Sequence, residues 1–134
     1  MNILKLFLFI ILVHACVGNN ADQNISKERR IMEMEGQKCL HEARRSLSNK
    51  RYAEARSQIL SMREQYPMAV SAREEAILLM DSIHLLEAID DMGRLGRLME
   101  KDSIKFDSLQ EEWQDAMQRK SFYERKLKND QKVN

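Results

Sequence analysis

Cysteine, histidine and paired carboxylates are the residues of this chain with the greatest chemical potential, and their spacing does not form a reactive site. Cys39 and His41 are two positions apart, which places them on different faces of a helix, and His84 is far along the chain. Adjacent carboxylates such as Glu74 and Glu75 diverge by about 100° on a helix, so they do not make an acid–base pair. No glycine-rich phosphate loop or nucleophile elbow occurs. We therefore predict a protein that is not an enzyme, with no catalytic residue, no metal site and no cofactor.

The N-terminus carries the one covalent modification that the sequence predicts. Lys5 precedes an apolar run over 6–13, which is far shorter than the ~20 residues of a membrane-spanning helix. This order predicts a secretory signal peptide over 1–15. The Ala15-Cys16 pair at its end resembles a bacterial lipobox, which implies a lipid on Cys16 and a membrane anchor in the cell envelope, at the outer membrane or in the periplasm. Cleavage without lipidation, which would give a secreted protein, is the alternative.

Composition favours a single helical domain. The 134 residues include 22 Lys and Arg against 21 Asp and Glu, with only four glycines and one proline, too few turn residues for many short strands. The near balance of charge gives no basic face for nucleic acid. Removal of residues 1–15 would take away Lys5 and no acid, which leaves the mature chain neutral. Without a second cysteine apart from Cys16, Cys39 cannot join an internal disulfide framework, and we predict that it lies in the core.

Hydrophobic periodicity predicts an all-α fold. Ala69, Ala72, Ala76, Leu79, Ile83 and Leu86 repeat at intervals of three and four, which is typical of a helix packed along another helix. The predicted organisation is a lipidated cysteine and flexible tether over 16–24, a helical hairpin over 25–67, long coiled-coil-like helices over 68–127 with a break near 91–103, and a frayed tail over 128–134.

Residues 36–69 carry a resemblance to a known repeat. Its positions are Ala43, Tyr52, Ala55, Ile59, Met62 and Pro67, in which small residues let two helices approach and the proline closes the unit. This order resembles a tetratricopeptide repeat, and Tyr66-Pro67-x-Ala69-x-x-Ala72 resembles the link between repeats in the tetratricopeptide lipoprotein of the β-barrel assembly machinery. Over 40–127 the chain is also similar to uncharacterised small lipoproteins of the Bacteroidetes. The resemblance implies a helical class and an envelope location, and it implies no activity.

A single repeat of this kind needs neighbours, because such repeats bury their core by stacking. We therefore predict a helical module for protein–protein interaction or scaffolding, which binds another envelope protein or a second copy of itself, with no small-molecule substrate. The binding surface is expected on the outer faces of 70–90 and 105–127, at Trp113, Phe106 and Tyr123, since exposed aromatic side chains are common interface anchors. The alternatives are a secreted or periplasmic soluble adaptor without lipid and, third, an enzyme of unrecognised type.

Overall fold

Four helices make up most of the part of the chain that the structure describes. The computed structural model describes residues 18–101 and 105–133, with side chains over 26–101 and 105–132. The helices are α1 (Gly18–Ser48), α2 (Tyr52–Gln65), α3 (Val70–Met99) and α4 (Phe106–Val133). No strand occurs in these two described ranges, which confirms the all-α prediction.

A tight turn joins α1 to α2. Lys50 has a positive φ of 59°, and its backbone N–H donates to the carbonyl of Leu47 at 2.9 Å. The Asn49 side chain donates to the carbonyl of Arg45 at 2.9 Å. These two bonds satisfy carbonyls that the end of α1 leaves without a helical partner, in the place where a glycine more often closes a helix. The turn returns the chain along α1, so α1 and α2 form a helical hairpin.

The core lies where α1, α2 and the first half of α3 meet. Half of its ten buried residues are alanines, which let the three helix axes approach closely. Leu40, Ile59, Met62 and Ile83 are its largest fully buried apolar side chains. The other buried members are Ala43, Ala55, Ala69, Ala72, Ala76 and Leu79. The periodic residues of α3 are thus buried as their spacing predicted, except for Leu86, which is exposed.

Gly36 marks the closest approach between α1 and the start of α3. A Cβ atom at this position would lie 2.9 Å from the Cβ of Ala69 and 3.0 Å from the Cβ of Ala72. Real Cβ atoms do not come this close to other carbon atoms, so only glycine fits without a shift of one helix. The residue that weakens the helical pattern of α1 is therefore the one that allows α1 and α3 to pack.

A carboxylate from α1 caps the N-terminus of α3. The Ala69 N-cap makes no side-chain capping bond of its own. Instead, Glu33 accepts hydrogen bonds from the backbone N–H groups of Ser71 at 3.1 Å and Ala72 at 2.7 Å. This arrangement satisfies two of the four N–H groups that every helix start leaves free, and it places a negative charge at the positive end of the helix dipole.

Polar contacts continue along both sides of α3 as far as Asp90. Glu75 accepts from Gln37 at 2.8 Å and from Arg44 at 2.6 Å, and these bonds to α1 hold its pKa below the ordinary value. At the other end of α1, Lys50 donates to Asp90 at 3.0 Å. Asp90 is the last residue of α3 that bonds to α1, α2 or their turn among the described residues. The three-helix body therefore ends level with Asp90.

Two predicted boundaries differ from the structure, and a third is narrowed. Residues 18–24 of the predicted tether belong to α1, because they contain no proline and a helix that is already packed extends readily into such a segment. The break predicted near 91–103 falls in the later part of that range, because α3 is continuous through Gly93 and Gly96 and ends at Met99. The predicted tail is helical as far as Val133, with Lys126 and Asp130 paired one turn apart at 3.0 Å.

Candidate interaction surface

The helices α3 and α4 form a long antiparallel pair. Its alignment is shown by cross-helix contacts in which the residue number rises along α3 as the number of its partner falls along α4. Lys126 pairs with Asp81 at 2.5 Å, and Arg119 pairs with Asp91 at 3.2 Å. Between these ion pairs, the rings of His84 and Tyr123 stack with their centroids 4.8 Å apart. These three contacts show that α4 follows α3 over about three turns.

Beyond Asp90 this pair extends past the three-helix body and is two helices thick. Its buried apolar side chains in this region are few, with Leu95 from α3 and Ala116 from α4. Larger apolar residues remain in solvent: Leu98 is 40% exposed, Phe106 44% and Met117 39%. Two helices alone cannot bury all of their apolar surface, so these apolar side chains remain accessible at this end of the pair.

The structure separates the three residues predicted to bind a partner. Phe106 is exposed at the first turn of α4, and Trp113 is half-buried two turns later. Their spacing of seven positions puts both on one face of the helix. Tyr123 is half-buried and lies about 15 Å further along α4, beside the body. Phe106 and Trp113 thus share one surface, whereas Tyr123 belongs to the contact with α3.

A shallow groove of about 720 Å³ runs beside Tyr123. Phe122 meets the edge of the Tyr123 ring at a centroid distance of 5.0 Å, and Arg119 and Arg125 line the groove with His84. Burial lowers the pKa of His84, and the nearby Arg56 guanidinium lowers it further. The imidazole that stacks on Tyr123 is therefore the neutral form at physiological pH.

Stability should depend on pH through His84. A histidine whose folded pKa lies below its ordinary 6.5 binds protons more readily in the unfolded chain, so stability is full above pH 6.5 and falls as the pH drops below it. We expect acidification from about pH 7.5 to about 5.5 to lower the urea midpoint more in the wild type than in His84→Phe, which keeps the stack without the titration. An equal loss in both proteins would refute this role for His84.

A second groove, of about 630 Å³, opens between α2, the start of α3 and the end of α4. Val70 and Ile77 are exposed along it at a spacing of seven positions, so they share one face of α3. Pro67 lines its rim and is exposed to solvent. This face is one part of the predicted outer surface of 70–90 where apolar side chains are accessible, and Leu86 and Ile89 are exposed further along α3.

The residues that carry the repeat resemblance lie mostly in the core. Ala43, Ala55, Ile59 and Met62 are fully buried where α1 and α2 meet. Tyr52 is half-buried, and its hydroxyl donates to Asp90 at 2.6 Å. Burial and this hydrogen bond to a carboxylate raise the pKa of Tyr52 to about 12, so the phenol stays protonated. These residues therefore act in packing where α1 and α2 meet.

The structure describes one of the two cysteines, Cys39. Cys16, the predicted site of lipid attachment, lies outside the described residues. Cys39 is half-buried against the core, and burial raises the pKa of its thiol, which disfavours the reactive thiolate. Within the described ranges, no group of three or more His, Cys, Asp and Glu side chains is arranged to hold a metal ion.

Sequence reasoning missed the polar residues that join the helices. Asp81, Lys126 and Glu33 each pair with a group far away in sequence, which no local spacing reveals. The one available signal was an aspartate at position 81, because it directly follows the apolar run from Ala76 to Met80.

Among the described residues, no helix is both long enough and apolar enough to cross a bilayer. Comparison with known proteins found no matching family model, no matching curated protein and no matching solved structure.

Proposed function

We propose that this chain is a lipid-anchored, non-enzymatic protein of the bacterial cell envelope that acts as a helical protein–protein interaction or scaffold module. The observation that supports this function best is the end of the α3–α4 pair, where two helices expose Leu98, Phe106 and Met117 beyond the body. Phe106 and Met117 are eleven positions apart and share one face of α4, and an exposed apolar face is typical of a surface that binds another protein.

A tetratricopeptide-like arrangement supports the same proposal. The hairpin of α1 and α2 packs on α3 through small side chains, with Gly36 on α1 against Ala69 and Ala72. In repeats of this class each hairpin presents a surface for the next element, and the stack is completed by another repeat, a capping helix or a partner. The coiled-coil-like pair of α3 and α4 then serves as the outer, partner-facing element.

Anchoring through Cys16 is tested by the mass of the native N-terminus. We expect the protein purified from its own cells to begin at Cys16, with a mass increase equal to that of several acyl chains. A Cys16→Ser variant should lose both the mass increase and the membrane association. An unmodified N-terminus at Asn19 would overturn the anchor and favour the soluble secreted or periplasmic adaptor.

Partner binding through α4 is tested at Trp113. Trp113→Ala should reduce recovery of co-purified envelope proteins at least about tenfold after cross-linking in cells, because a large aromatic anchor at an interface is worth 2 kcal/mol or more. Gln114→Ala, at the exposed next position, is the matched control and should have no effect. If Trp113→Ala and Gln114→Ala recover the same proteins in the same amounts, the proposed surface is wrong.

A further inference from the structure

An apolar face of α3 remains open on the side that points away from α4. Leu86 and Ile89 are 41% and 40% exposed, and Gly93 and Gly96 continue the same spacing of three and four positions. On a helix this spacing gives one continuous stripe. Leu95 is buried two positions after Gly93, so the side chains that pack toward α4 lie on the opposite side of the helix.

Packing within the chain does not explain the two glycines on this face. A Cβ at Gly96 would meet nothing within 4 Å, and at Gly93 it would meet only the guanidinium of Arg97 at 3.6 Å. Glycine is disfavoured against alanine inside a helix, so these positions weaken α3 without a visible gain. At Gly36 the same residue type permits another helix to approach closely. The hollow at Gly93 and Gly96 has the shape for a similar approach from outside.

Charges beside this face point to a second copy of α3 as the approaching helix. The acidic residue on the flank is Asp90, whose carboxylate accepts from Lys50 and Tyr52 of its own chain and whose side chain stays 38% exposed, and the basic residue is Arg97. Arg97 is exposed and has no ion pair among the described residues. Two copies crossing in antiparallel fashion at Gly93 would bring each Arg97 within one residue, about 1.5 Å along the axis, of Asp90 of the other copy, since the same flanks meet in an antiparallel pair. A two-fold interface requires such self-complementarity.

The shape of the molecule leaves room for this contact. The three-helix body ends level with Asp90, so α3 is uncovered by α1 and α2 over the residues that follow. In an antiparallel crossing centred on Gly93, the two bodies lie at opposite ends of the interface. Ile89 of each copy then lies within one residue, about 1.5 Å along the axis, of Gly96 of the other, and a large apolar side chain fills the hollow.

We propose that the chain forms a two-fold dimer in which α3 crosses α3 of a second copy at Gly93, with Ile89 in the Gly96 hollow and Arg97 paired with Asp90 across the axis. This inference deepens the proposed interaction function, on which it rests, by naming one partner and its surface. The dimer uses a face of α3, whereas the proposed envelope partner binds at Phe106 and Trp113 of α4.

Disulfide trapping of the full chain tests the crossing point. Under oxidising conditions Gly93→Cys should give a species of twice the mass of one chain, because the two-fold axis brings this position beside itself. Gln114→Cys, exposed on α4, should remain at the mass of one chain. The proposal is overturned if Gly93→Cys cross-links no more than Gln114→Cys. Trp113→Ala should leave the Gly93→Cys cross-link unchanged, so a failed dimer and a failed partner surface give different results.

Complementary charge variants test the pairing. Arg97→Glu should weaken self-association roughly tenfold or more, measured by sedimentation of the full chain in mild detergent, because it opposes like charges. Lys128→Glu, exposed on α4, is the control and should not change it. An Arg97→Glu chain mixed with an Asp90→Lys chain should form the mixed dimer, since both cross-axis pairs are then restored, while each chain alone stays monomeric. Equal association of Arg97→Glu and wild type, or no recovery in the mixture of two folded variants, would refute the pairing.

Discussion

Gly36→Leu is expected to lower the free energy of unfolding by about 3 kcal/mol, at the upper end of the cost of overpacking. A Cβ at this position already falls 2.9 Å from Ala69 and 3.0 Å from Ala72, and both neighbours are Cβ atoms held directly on the backbone of the Ala69–Ala72 segment. They cannot rotate away, so α1 and α3 must separate. Urea unfolding followed by circular dichroism would measure the loss.

Gly96→Ala is the matched control for this experiment. Nothing lies within 4 Å of a Cβ at Gly96, so alanine there is expected to raise the free energy of unfolding of the monomer by up to ~1 kcal/mol through helix propensity alone. Both changes remove a helical glycine, and only Gly36 lies at a helix crossing. A stability of Gly36→Leu equal to that of the wild type would mean that the close approach at Ala69 does not constrain the fold.

Lys126→Met is the second change with a large expected effect, a loss of about 3 kcal/mol in the free energy of unfolding. Asp81 is 5% exposed, and Lys126 donates to it at 2.5 Å from the partner helix. This hydrogen bond raises the pKa of Lys126, which keeps the ammonium charged. Removal of the cation leaves a buried carboxylate without its counter-ion. The lower end of the usual 3–5 kcal/mol range applies because Lys126 is itself partly open to solvent.

Two comparisons separate this charge effect from a general effect of mutating α4. Lys128→Met changes an exposed lysine on the same helix and should leave the urea midpoint unchanged. Asp81→Leu combined with Lys126→Met should recover most of the stability, because an apolar pair of similar volume replaces the ion pair without a stranded charge. Should Lys126→Met and Lys128→Met unfold at the same urea concentration, the Asp81 pair would contribute nothing measurable.

Much of the helical core could be predicted because burial on α3 follows helix periodicity. Ala69, Ala72, Ala76, Leu79 and Ile83 repeat at the spacing of one helix face, and all five are buried. The same spacing also predicted Leu86, which is exposed. Periodicity shows which face a residue occupies, but where the neighbouring helices end depends on the turns and on bonds distant in sequence.

Three glycines show why residue spacing alone did not predict where the helices pack and where they end. Gly36 weakens the helical pattern, yet it is the contact point of α1 with α3. Gly93 and Gly96 suggested a break, yet α3 continues through them, since two helical glycines cost only ~1 kcal/mol each and the packing of α4 along this segment opposes unwinding. The role of a glycine depends on what approaches it, and that information is not local.

The candidate surface was predicted in part. The aromatic pair Phe106 and Trp113 shares one face of α4, as residues seven positions apart must. Tyr123 was grouped with them because it is aromatic, but its ring stacks on His84 of α3. The sequence contains no indication of this partner, because the register between two antiparallel helices is set by their connection and by ion pairs such as Asp81 with Lys126.

The capping of α3 by Glu33 also bears on the order in which the helices can fold during synthesis. The main-chain and side-chain groups at the start of α3 find their partners at Glu33, Gln37 and Arg44, all of which precede α3 in the chain. A ribosome releases the N-terminal part first, so α1 is already present when the first turn of α3 emerges. The body can therefore complete itself before α4 is synthesised, and α4 then adds to a finished surface on α3.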